Sequence, residues 1–278
     1  MSALVTGLTR FDRDTALTAM GDGRFAGRMD PGWWIERGPN GGYVAAVVLR
    51  GLTMAVDDIA RTPRSLTIHY LAPPAEGGVV METTIERTGR RVTFVTGRLL
   101  QSDRVLALAM SAFAVSIPGV EFADITMPSA IPVDETEPIP MMQRPGGQAA
   151  PMRERYEQRW AIGDPPFTGG DAQAVVGGWI RFAEPRPVDH LSVAAYADAW
   201  IPSLFTRFPQ PTAIPTVDLT VHFRAPLPHA SMKPDDYCLV VFRTQVAAEG
   251  FIEEDGEVWS PDGVLLAHSR QLAALIPA

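Results

Sequence analysis

Two stretches of the chain are apolar at nearly every position. Gly41–Val56 begins GGYVAAVVL, and Leu191–Phe205 contains VAAYADAWI. A helix without a broad polar stripe must be enclosed by protein instead of lying on a surface. Beyond each stretch lie three strand-like runs separated by turn signals. In the first half these are Val79–Arg87, Val92–Gln101 and Val105–Val115, with turn residues at Thr88-Gly89 and Ser102-Asp103. In the second half they are Tyr237–Ala248, Phe251–Trp259 and Val264–Ile276, with turns at Glu249-Gly250 and Pro261-Asp262-Gly263. Arg153–Gly163 reads as the opening strand of the second half, and Ala174–Phe182 as another strand or an edge segment.

The order of elements repeats, and so does a short sequence. Residues 66–73 read LTIHYLAP and residues 219–226 read LTVHFRAP, five of eight identical at an offset of 153. One structural unit is therefore written twice. Each copy reads as an enclosed helix followed by an antiparallel meander, and a sheet curled around a helix is the hotdog fold. The expected class is α+β: a double hotdog, two antiparallel sheets each wrapped around a long central helix. The expected domains are residues 1–116 and 153–278, with the Pro- and Met-rich residues 117–152 as a surface connection.

The 278 residues suit two domains of similar size, and 46% hydrophobic with 20% charged residues is ordinary for a globular protein. No apolar run approaches the roughly 20 residues that span a bilayer. The opening MSALVTGLTRFDRD lacks the basic-then-apolar order of a signal peptide. A cytoplasmic protein with no membrane partner is expected. A net charge of -8 without a basic stripe argues against nucleic acid. The single cysteine, Cys238, excludes an internal disulfide and a Cys-based zinc cluster, and its setting YCLVVF reads as core. No metal or cofactor is expected. Lys233 is the only lysine; this fits either a compositional bias or arginines that hold a phosphorylated ligand.

Comparing the copies locates candidate chemistry. Asp198 is the one charge in the second apolar stretch, and a buried carboxylate needs partners or a raised pKa. It reads either as a functional group or as an aspartate bonded to a nearby amide. Gln271 alternates onto the face of Leu265, Ala267, Ser269 and Ala273, as a pocket-lining amide or an exposed strand residue. Thr216 opens the strand TVDLTVHF and says little by itself. At the repeat offset Thr216 falls opposite Pro63 and, without gaps, Asp198 opposite Ala45. Aligning Asp103 with Asp262 sets Gln271 opposite Ala112. The polar set is thus confined to the second copy, whereas His69 and His222, present in both, read as fold-supporting.

These residues carry a resemblance to the type II, TesB-like acyl-CoA thioesterases, specifically their thioesterase-like branch of double-hotdog enzymes. The stretch DGVLLAHSRQ at 262–271 is similar to a family run that ends in a catalytic glutamine. Thr216-Val217-Asp218 resembles its Thr-x-Asp, Tyr196-Ala197-Asp198 the surroundings of its helix aspartate, and WWIERGPNGGYVAA its Gly-Gly helix opening. Leu219 and Leu272-Ala273 depart from the family's usual His and Glu-Gly. The resemblance implies an acyl-CoA substrate and hydrolysis to free acid and CoA, by a water that Asp198, Thr216 and Gln271 hold and activate. It also implies further pairing into a homo-oligomer. Asn40, Gly41 and Gly42 mark a helix N-terminus open to a ligand, or else a close packing contact. Arg90 and Arg91 are candidates for the nucleotide phosphates, or simply solvated. A non-catalytic acyl-CoA-binding protein and an enoyl-CoA hydratase are the alternatives.

Overall fold

The computed structural model describes residues 7–35, 38–139, 150–167, 170, 172–208 and 213–276. Parts of the N-terminal stretch, of the WWIERGPNGGYVAA motif and of the connection at 117–152 lie outside the described residues.

The chain opens with a short helix α1 (Arg10–Asp14), held by a reciprocal cap between Thr9 and Asp12. A hairpin follows, β1 (Thr18–Gly21) and β2 (Arg24–Met29), which turns at Asp22 and Gly23 with positive φ. Helix α2 spans Gly41–Val56 as the periodicity predicts. Next come β3 (Thr62–Tyr70), β4 (Gly77–Thr88), β5 (Val92–Gln101) and β6 (Arg104–Ala114). After the connection the same order recurs: β7 (Tyr156–Ile162), β8 (Ala174–Phe182), α3 (His190–Tyr196), β9 (Thr216–Phe223), β10 (Cys238–Thr244), the two-residue β11 (Ala247–Ala248), β12 (Phe251–Trp259) and β13 (Leu265–Ala274).

The strand order is β1-β2-β4-β5-β6-β3-β9-β13-β12-β10-β8-β7, with β11 beside β12. Read from either end it is the same list of equivalent strands, so the two copies are related by a pseudo-twofold axis. The axis falls on the β3–β9 pair, where Leu66 faces Val221, Thr67 faces Thr220 and Ile68 faces Leu219. This corrects the expectation of two sheets. The copies share one continuous antiparallel sheet, because pairing β3 with β9 satisfies backbone groups that two separate edges would leave open.

Helix α2 is enclosed, every residue from Gly42 to Leu49 being buried. The helix of the second copy is a correction: it is not long but ends at Tyr196, leaving Asp198 beyond it. The bonding pattern tightens there, the amide of Asp198 reaching Ala195 and that of Ala199 reaching Tyr196, and Pro202, which has no N–H, could not serve a helix carried further. The chain instead leaves the helix and makes a 3-10 turn at Ser203–Thr206. Aromatic rings meet between the copies: Trp33, stacked on Tyr43, stands edge-on to Tyr156 with centroids 5.7 Å apart and to Phe182 at 6.2 Å. Cys238 is fully buried, with its thiol pKa pushed up by that burial. Among the described residues no helix is long and apolar enough to cross a membrane.

Candidate active site

The carbonyl of Asp198, just beyond the end of α3, is taken up at once. Asn40 Nδ2 donates to the carbonyl oxygen of Asp198 at 2.5 Å and lies 3.3 Å from its carboxylate Oδ2. The amide of Gly42 donates to the same Oδ2 at 3.0 Å. Asn40 also caps α2, its Oδ1 accepting from the amide of Tyr43 at 3.1 Å. The N-terminus of the first copy's helix therefore grips the aspartate of the second. Glycine is required twice here. A Cβ on Gly42 would stand 2.3 Å from the carbonyl oxygen of Ala195, and one on Gly41 would stand 2.6 Å from Asp198 Oδ2. The Gly-Gly pair thus serves close packing between α2 and α3, with its amide turned to Asp198.

Asp198 is largely enclosed but keeps some exposed surface. Burial pushes its pKa up to about 7, the charge of Glu254 adds to the rise, and the amides of Gly42 and Gly41 pull it back. Tyr70, whose hydroxyl donates to the carbonyl oxygen of Gly41 at 2.9 Å, and Tyr156 both lie within reach of its charge. The buried hydroxyl of Tyr156 has no hydrogen-bond partner among the described residues.

Thr216 and Gln271 form a second cluster. Thr216 Oγ1 donates to Gln271 Oε1 at 2.9 Å, and Gln271 Nε2 donates to Glu254 Oε2 at 2.8 Å. The other oxygen of Glu254 accepts from the amide of Ser203 at 2.6 Å and from its hydroxyl at 2.7 Å. Gln271 and Glu254 are both buried, at 7% and 4% exposure, so Gln271 is not an exposed strand residue. Burial raises the pKa of Glu254, against the lowering effect of Ser203 and Gln271. Among the described residues no direct hydrogen bond joins Asp198 to Thr216 or Gln271; Glu254 couples the two clusters through its charge.

Sequence reading missed Glu254, although a cue was available. In FIEEDGEVW the alternation of Ile252, Gly256 and Val258 puts Glu254 on the apolar face of β12.

Strand register sharpens the comparison of copies. Leu66 faces Ser111 while its equivalent Leu219 faces Gln271, so Ser111, not Ala112, is the counterpart of Gln271. The turn with Asp262 is longer than that with Asp103, and aligning the two aspartates slips the register by one. Ser111 faces Val95 as Gln271 faces Glu254, so a buried valine stands where the second copy has its carboxylate. Thr216 and Pro63 remain equivalent. Aligning the helix caps Asp189 and Asn40 places Leu49, not Ala45, opposite Asp198. Leu49, Pro63, Val95 and Ser111 cannot form the acidic network of the second copy.

Other candidates lie elsewhere. His69 and His222 are exposed on the outer face of the sheet, and Arg90 and Arg91 are exposed at the β4–β5 turn.

Known proteins agree with this architecture. Residues 30–116 match the family profile of the acyl-CoA thioesterase N-terminal domain, and residues 133–275 that of the acyl-CoA thioesterase C-terminal domain. Among curated proteins none matches the chain in sequence. A hot dog fold protein of unknown function from Alicyclobacillus acidocaldarius is 27% identical, with a TM-score of 0.86 over 98% of this chain and 100% of that one. The tesB protein of Mycobacterium avium subs paratuberculosis has a TM-score of 0.75 at 21% identity, over 96% of this chain and 98% of that one. Acyl-CoA thioesterase II TesB2 of Mycobacterium marinum has a TM-score of 0.76 at 17% identity, over 96% and 98%. The latter two share the fold. With both domain profiles matched across most of its length, the chain belongs to the TesB-like acyl-CoA thioesterase family, and with it to the thioester hydrolases.

Proposed function

We propose that the protein hydrolyses acyl-CoA to a free carboxylic acid and CoA at a single site, on a double hotdog with domains at 1–116 and 153–278. Asp198 is the general base, and Thr216 and Gln271 hold the attacking water. The observation that carries this reading is the setting of Asp198: a largely desolvated carboxylate, with a pKa near neutrality, held by Gly42 and Asn40. A base tuned in this way is ionised at working pH yet still basic enough to take a proton.

Water attacks the thioester carbonyl carbon as its proton passes to Asp198. The resulting oxyanion is stabilised by N–H donors; Gln271 Nε2 has one hydrogen committed to Glu254 and a second to offer. The intermediate collapses with cleavage of the C–S bond, and the proton on Asp198 returns to the departing thiolate. No covalent enzyme intermediate is required. Asn40, Gly41 and Gly42 act here by holding the base beside the bound thioester. The expected homo-oligomer remains part of the proposal, supported by Phe94, Leu108 and Met110 standing exposed on the sheet.

Thiol release across a panel of acyl-CoA substrates tests the reading. Asp198→Ala should lower kcat by at least a hundredfold, roughly the worth of a general base, with folding retained. Thr216→Ala and Gln271→Ala should cost about tenfold each, at the level of one positioning contact. Undiminished turnover in Asp198→Ala would overturn the assignment, and ligand-induced stabilisation without turnover in the native protein would favour a binding protein.

A further inference from the structure

Glu254 is a buried carboxylate outside the proposed catalytic set, and three donors converge on it: the amide and hydroxyl of Ser203, and the side-chain amide of Gln271. Burial raises the pKa of Glu254, but the amide and hydroxyl of Ser203 both donate to one of its oxygens, and in the ionised form that they favour, a carboxylate can only accept hydrogen bonds. It therefore admits the Nε2 end of Gln271 and repels the Oε1 end, which settles an amide that could otherwise turn over with little change of shape. Gln271 Oε1 is then left facing Thr216 and must accept from its hydroxyl, as the 2.9 Å contact has it. With its only proton committed inward, Thr216 Oγ1 presents lone pairs outward.

We propose that Glu254 is a positioning residue that sets the direction of a hydrogen-bond chain, Thr216 to Gln271 to Glu254, so that Thr216 meets the catalytic water as an acceptor. This rests on the thioesterase reading above. A water that donates one hydrogen to Thr216 and the other to Asp198 has a lone pair free for the carbonyl carbon. The first copy supports the assignment. Where Gln271 and Glu254 stand as neighbours in the second, it has Ser111 beside Val95, with the serine hydroxyl donated to the backbone of Ser65 at 2.5 Å. Acid and amide have no counterpart there, as expected if they form one device.

Glu254→Gln offers a polar N–H on the side where Gln271 and Ser203 need acceptors, with almost no change in volume. We expect kcat to fall at least tenfold with KM within twofold, and Glu254→Gln/Gln271→Ala to be no slower than Gln271→Ala alone. The side-chain amide resonances of Gln271, shifted and protected in the native protein, should become those of a mobile amide in Glu254→Gln. Ser203→Ala, which removes one donor and keeps the carboxylate, should retain those resonances; if Glu254→Gln does not fold, Glu254→Asp, which draws the carboxylate back from Gln271, replaces it in the double-variant comparison. Unchanged kcat, losses that add in the double variant, or an unaltered Gln271 amide would overturn the role of Glu254. Loss of the thioesterase reading itself would show differently, as a native protein that releases no thiol or an Asp198→Ala variant that retains activity.

Discussion

The Oγ1 atoms of Thr67 and Thr220 lie 3.1 Å apart, and the two residues are the same position of the two copies. A residue that meets its own equivalent sits on the symmetry axis, so this contact marks where the duplicated units join.

The contact makes a prediction about stability. Thr67→Val and Thr220→Val each remove the same hydrogen bond, so each should cost about 1 kcal/mol. The double variant should cost little more than either single one, because only one bond is shared. Urea unfolding of the three variants measures this.

The raised pKa of Asp198 predicts the pH dependence of turnover. The base acts when ionised, so kcat/KM should rise with pH through a midpoint near 7. Between pH 6 and pH 8 the ionised fraction, and with it the rate, should rise about tenfold. In Glu254→Gln the charge that raises the pKa of Asp198 is gone, and the midpoint should move to lower pH.

The same shift has a sign for stability. The folded pKa lies above the ordinary carboxylate value of 3.8, so between these pH values the folded state binds more protons than the unfolded one. The contribution of Asp198 is greatest below pH 4 and is lost as pH rises through about 7. Asp198→Asn does not titrate, so its Tm relative to the native protein should climb from pH 5 to pH 8. A constant difference would mean that Asp198 is not perturbed in this direction.

The two glycines of α2 should respond differently to a methyl group. Gly42→Ala drives a Cβ against the Ala195 backbone, which cannot yield locally, and should destabilise by about 1–3 kcal/mol. Gly41→Ala meets the Asp198 carboxylate and should cost turnover more than Tm. Thermal unfolding alongside kcat separates the two.

Much of this was legible in the sequence because it is local. The strand-like runs and their turn residues marked β5, β8 and β12 to the residue, and the apolar run marked α2. The β1–β2 hairpin escaped notice because β1 is exposed throughout and has no apolar alternation. The repeat, by setting one copy against the other, drew attention to Asp198 and Gln271, but its offset misaligned the first and the two aspartate turns misaligned the second. Loop lengths differ between the copies, and only strand register corrects for that.

The sequence determined by itself that the unit is duplicated, where its strands run and which copy carries unusual polar residues, since these depend on the order of side chains along one strand or helix. Tertiary structure decided the rest: that the copies share one sheet, that the second helix ends before Asp198, and that Asn40 and Gly42 of the other copy bind the carbonyl and carboxylate of that residue. It also decided that Glu254 closes the chain from Thr216 through Gln271. The physical reason is that a hydrogen bond across 156 residues, such as Gly42 to Asp198, has no trace in local periodicity. Only the packing of one copy against the other brings its partners together.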